Sequence, residues 1–112
     1  MSILTADYSN LNHEEMAKQI GLKPKHMPML IASFLEEASP TLEAMQSAIA
    51  SHDFDAIRLR AHSIKGSAGN LRFNEIYEMS KEMEHAATEQ NKAFEYKAYF
   101  EAIKKAITTI PA

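Results

Sequence analysis

At 112 residues, with 46% of them apolar, the chain can build one hydrophobic core but not two. It has no cysteine, which excludes disulfides, thiolate metal sites and cysteine nucleophiles. Twelve Lys and Arg against fifteen Asp and Glu leave a net charge of -3, unlike the broad basic face of a nucleic-acid binder. No apolar run approaches the ~20 residues that cross a bilayer. Residues 1–7 lack the basic n-region of an export signal, so the expected compartment is the cytoplasm.

Residues 1–10 read as an irregular lead-in to a single domain over 11–112. Asn12, with Glu15 three positions on, has the form of a capping box. It predicts a short helix carrying Leu11, Met16 and Ile20 that stops at Gly21. Pro24 and Pro28 bracket the next start, since proline is tolerated in a first turn. From about Lys25 to Ser51 a long helix carries Ile31, Leu35, Ala38, Leu42, Met45 and Ile49, widened by Leu30 and Phe34. Pro40 lies within it, and because the apolar phase runs through unchanged, a kink is expected there rather than a break.

Asp53 is the expected cap of a further helix, with Phe54, Ile57, Ala61, Ile64, Ala68 and Leu71 as its stripe. Asn74 is the expected cap of the next, whose inner face is Ile76, Met79, Met83, Ala86 or Ala87, and Gln90. A last helix from about Ala93 buries Tyr96, Phe100, Ile103, Ile107 and Ile110 and is closed by Pro111. Four amphipathic helices joined by short turns predict an all-α fold: an antiparallel up-down-up-down four-helix bundle with an extra short N-terminal helix.

One segment departs from helix propensity. Ala61 to Asn70 holds two of the three glycines and two serines, and each interior glycine costs roughly 1 kcal/mol relative to alanine. Local rules are broken most often at functional sites. Opposite the apolar stripe lie Asp55, Arg58, Leu59, His62, Lys65, Gly66 and Gly69, so His62 is predicted to point outward with Lys65 and Gly66 one turn on. A neutral imidazole is nucleophilic at cellular pH. Gly66 leaves room beside it, and Lys65 is a cation placed to neutralise phosphoryl oxygens. Arg58, Arg60, Lys65 and Arg72 lie between Ala56 and Asn74 with no acid among them, a local positive face suited to an acidic partner. If the chain folds back about residue 72 or 73, the position level with His62 is near residue 83 or 84; Met83 belongs to the core stripe, while Glu84 lies next to it at the edge. A carboxylate there can hold one ring nitrogen and leave the other free to attack.

The run His62-x-x-Lys65-Gly66-Ser67-x-Gly69-Asn70-Leu71 resembles the phosphorylation motif of histidine-containing phosphotransfer (HPt) domains. Phe34-Leu35-Glu36-Glu37, the Asp53-Phe54 helix start and Met79-x-x-x-Met83-Glu84 fall where that family has similar features, so the resemblance covers nearly the whole chain. It implies a phosphorelay intermediate of two-component signalling. His62 would accept a phosphoryl group from the aspartate of one receiver domain and pass it to another. The receiver would supply the Mg²⁺ and the acidic pocket, and this chain would have no cofactor and no kinase activity of its own.

On that reading Lys65 is the electrostatic partner, Gly66 the access position and Glu84 the orienting residue; the family places Glu or Gln at its position. Arg58, Leu59, Ser67 and Gly69 are candidates for partner docking, and a monomer is expected. Arg72 departs from the pattern, since the family often has glycine there. The rival reading is a non-catalytic helical adaptor that binds receivers and transfers nothing. A third is a metal site on Glu82-x-x-His85, half of a di-iron bundle signature, but the chain holds no second Glu-x-x-His. His13 and His26 near helix starts and His52 in a turn have no comparable surroundings.

Overall fold

The computed structural model describes residues 3–111. Within them the protein forms five α-helices: α1 His13–Ile20, α2 Met27–Ala50, α3 Phe54–Asn70, α4 Asn74–Thr88 and α5 Tyr96–Thr108. Single 3₁₀ turns at Ile3–Thr5 and Pro24–His26 complete the regular structure, and there is no strand among the described residues. Helix α2 packs on α3, α3 on α4, α4 on α5, and α5 returns to α2, while α1 lies beside the start of α2.

Each helix turns an apolar face to the shared centre because its apolar residues recur at helical spacing. Ile31, Phe34, Ala38, Leu42, Met45 and Ala48 are buried from α2, and Ile57, Ala61, Ile64 and Ala68 from α3. In α2 the buried line takes Phe34 and Ala48 where the sequence pattern favoured Leu35 and Ile49, which are only partly buried. The predicted stripe alternated strict threes and fours, a period of 3.5, whereas a straight helix advances 3.6 residues per turn and drifts off it. From α4 and α5, Ile76, Met79, Met83, Phe100 and Ile103 complete the core, each almost wholly removed from water. Truncating any of these to alanine costs about 2–5 kcal/mol. Helix α2 runs unbroken through Pro40. The hydroxyl of Thr41 donates to the Glu37 carbonyl at 2.9 Å, supplementing the backbone ladder in the turn that proline weakens.

Four helices end in the same way. The amides of Leu22, Asp53, Phe73 and Asn91 donate to carbonyls five residues back, at 2.8, 2.9, 3.0 and 2.9 Å. The residue before each is left-handed: Gly21 (φ 73°), His52 (φ 54°), Arg72 (φ 63°) and Gln90 (φ 55°). This is the Schellman closure, which glycine enters most readily, and only Gly21 announced it. Gln90 therefore does not continue the inner face of α4. It ends the helix in an exposed turn, because the left-handed residue takes the chain off the helical wheel.

The cap of α4 also differs from expectation. Asn74 is the first helical residue and caps nothing. The orphan amides of Glu75 and Ile76 donate instead to the Tyr8 hydroxyl, at 3.1 and 3.3 Å, and that hydroxyl donates to Glu75 Oε1 at 2.8 Å. Burial, together with the Glu75 acceptor, pushes the Tyr8 phenol above its ordinary pKa. The Tyr8 ring stands edge-on to Phe73, centroids 4.9 Å apart, and Phe73 meets Phe34 at 5.3 Å. The lead-in, irregular beyond its one 3₁₀ turn, is thus packed into the core through Ala6 and Tyr8. At the other end α5 begins at Tyr96 rather than Ala93. Asn91 holds the intervening loop, accepting from the Ala93 amide through Oδ1 (2.9 Å) and from the Tyr96 hydroxyl through its carbonyl (2.8 Å).

Candidate functional site

The site lies on the seam between α3 and α4. These helices run in opposite directions: Gly69 of α3 meets Tyr77 of α4, and further back His62 meets Glu84. His62 and Lys65 are three residues apart and so share a face of α3. That face is turned outward by the burial of Ala61, Ile64 and Ala68 on the other side. The His62 side chain is 65% exposed, whereas those of Lys65 and Glu84 are 24% and 18% exposed. A half-sunken ion pair therefore supports an open imidazole.

One carboxylate serves both neighbours. Glu84 Oε2 lies 2.7 Å from His62 Nδ1, and Glu84 Oε1 lies 2.6 Å from Lys65 Nζ. Partial burial tends to raise the Glu84 carboxyl, but the hydrogen bonds from Lys65 and His62, with their charges, outweigh it and hold the pKa below the usual value. An ionised carboxylate only accepts, so the imidazole proton belongs on Nδ1. Nε2 then carries the free lone pair. From the sequence Lys65 is read as a cation for phosphoryl oxygens, without its pair to Glu84. The signal was present in two opposite charges at matching heights on helices folded about residue 72.

The remaining predicted residues scatter more widely. A Cβ added to Gly66 would meet nothing within 4 Å, so the space beside the imidazole is open. Gly69 has a different setting, since a Cβ there would lie 3.2 Å from Cδ2 of Tyr77. Ser67 is partly buried and faces α2, in a shallow cleft with Phe34, Glu37 and Thr41. Leu59 is 50% exposed one turn before His62. Arg58 donates to Asp55 Oδ1 at 2.8 Å on its own helix. Glu82 and His85 are not drawn together: Glu82 accepts from the Tyr99 hydroxyl at 3.1 Å, and His85 Nε2 lies 3.2 Å from Glu89. Among the described residues no three acid or histidine side chains are grouped to hold a metal ion.

The model of the Hpt domain family matches residues 29–111, well over half of the chain. This chain belongs to the Hpt domain family. Neither the curated proteins nor the solved structures give a match. Hpt domains are phosphocarrier modules rather than kinases, and they act with receiver domains in two-component signalling. The match begins within α2, so α1 and the Tyr8 lead-in lie outside it although they pack on the same core. No helix among the described residues of this Hpt domain is long and apolar enough to cross a membrane.

Proposed function

We propose that His62 is the phosphoryl carrier of this Hpt domain, in a relay between two receiver domains. The observation that carries the reading is an exposed imidazole whose Nδ1 is held at 2.7 Å by a carboxylate. With Nδ1 protonated and oriented, Nε2 attacks the phosphorus of a receiver's aspartyl phosphate. The Nε2–P bond forms, the acyl P–O bond breaks, and the aspartate leaves as its carboxylate. The imidazole becomes a cation whose Nδ1–H still donates to Glu84, so a group already ionised before the reaction stabilises the charge that develops. Passing the group to a second receiver reverses these steps.

Lys65 keeps Glu84 ionised and brings a cation within one turn of the incoming phosphoryl oxygens. Gly66 leaves the approach clear. Arg58, Leu59, Ser67 and Gly69 border the surface against which a receiver rests. The Mg²⁺ belongs to the receiver's acidic pocket, and no residue of this chain is assigned to it. The four long helices alternate up and down in a domain over residues 11–112, against whose core the lead-in packs, and the protein acts as a cytoplasmic monomer.

Incubation with a phosphorylated receiver and Mg²⁺ tests the reading. An acid-labile, base-stable label is expected on the wild type and absent from His62→Gln. A wild type that binds cognate receivers yet never takes up label would instead be an adaptor.

A further inference from the structure

Beside the candidate site a polar recess of about 400 Å³ runs along the α3–α4 seam, from Lys65 and Gly66 past Gly69 and Tyr77 to Arg72. Lys65 and Gly66, which line one end of it, lie one turn beyond His62, so the recess adjoins the proposed transfer surface. Its two cations are not equivalent. Lys65 is engaged by Glu84. Arg72 is exposed, and among the described residues no acid pairs with it; its contact is a long hydrogen bond of 3.3 Å to the Gly69 carbonyl. On the same stretch Arg58 is already taken up by Asp55.

Arg72 also stands where glycine would be easier. Its φ of 63° is the left-handed conformation that closes α3, which L side chains resist and glycine adopts freely. His52 and Gln90 close their helices in the same conformation, so what distinguishes Arg72 is its unpaired guanidinium at the recess. An unpaired guanidinium presents a planar fork of donors that matches a carboxylate. The Asn70 amide and the Tyr77 phenol line the same recess and supply further hydrogen-bonding groups.

We infer that this recess receives an aspartate or glutamate side chain on the docking face of the receiver, and that Arg72 determines which receivers are accepted. The inference rests on the proposed reading of the chain as a receiver's phosphotransfer partner. Charge complementarity and continuity with the His62 surface favour it. Arg72 acts through docking and is not a catalytic residue.

The test compares wild type with Arg72→Gly, Arg72→Gln and Arg72→Lys against the receiver domains encoded in the same genome. Affinity, salt dependence, and KM and kcat for label uptake are measured. Arg72→Gly relieves the left-handed strain and is expected to melt higher than wild type. For cognate receivers Kd and KM should nevertheless rise about tenfold at low salt, with kcat unchanged and a shallower salt dependence. Arg72→Gln should lose the same affinity without the backbone change, and Arg72→Lys should restore most of it. Glycine and glutamine variants that bind with wild-type affinity and salt dependence would overturn the inference. So would a shortened phosphohistidine lifetime at unchanged Kd, which would put Arg72 on the phosphoryl group itself. If wild type is labelled normally and the variants match it, only this inference fails. If no receiver binds or labels the wild type, the parent reading fails with it.

Discussion

Gly66 and Gly69 stand three positions apart in the same helix, yet a Cβ at the first would touch nothing within 4 Å and one at the second would press on the Tyr77 ring at 3.2 Å. Both carry the same intrinsic penalty inside a helix. Gly66 sits on the outer face beside His62, where the space is open, and on the proposed reading it is the receiver that enters it. Gly69 sits on the seam with α4, where the space is already filled by this chain. The pair teaches that a glycine breaking a helix rule marks a close approach, and that its neighbours decide whether the approaching group is a partner or the protein itself.

That contrast can be broken most forcefully at Gly66. Gly66→Leu should leave the helical circular dichroism and melting temperature intact while slowing label uptake from a receiver by about a hundredfold, the scale of a small misplacement at a reacting centre. Undiminished uptake would remove the access role. At Gly69 the reverse is expected. Gly69→Val should destabilise the fold by about 1–3 kcal/mol through overpacking, and Tyr77→Ala in the same chain should recover part of that loss in a double-mutant cycle. Additive effects would mean that the ring is not what Gly69 accommodates.

A smaller and opposite effect is expected for Gly66→Ala, which should raise stability to urea by about 1 kcal/mol because propensity improves and nothing is crowded. Smallest is the acid response of the supporting clamp. The folded Glu84 carboxyl lies below its ordinary value of 4.5. Its contribution is therefore complete above 4.5 and is lost as pH falls through the folded pKa. Urea titrations between about pH 3 and 7 should show wild type exceeding Glu84→Gln by about 1 kcal/mol or less at neutrality. The gap should close on acidification; one that persisted would show that the ion pair does not carry it.

What could be read from the sequence was local, or repeated at a fixed period. Asn12 and Asp53 cap their helices through the amides of Glu15 and Ala56, contacts three residues long that any reader of the string can see. The apolar stripes fix which faces meet, and with the fold-back near Arg72 they bring Glu84 to His62. Asn74 misled because the cap of α4 comes from Tyr8, 67 positions away, and no local pattern encodes so distant a partner. Gln90 misled because periodicity continues on paper past the point where a left-handed turn ends the helix. His52, Arg72 and Gln90 adopt that turn without the glycine that would have marked it.

The Tyr8 amide donates to the Thr109 hydroxyl at 2.8 Å, across 101 positions of chain. Entry to the bundle and exit from it therefore lie side by side, as the two leads of a plug do. A module wired this way can be spliced into a surface loop of a larger protein with little disturbance to its helices. Equally, its ends can be joined and a new opening cut in the loop between Asn91 and Glu95, a circular permutation that leaves the seam between α3 and α4 untouched.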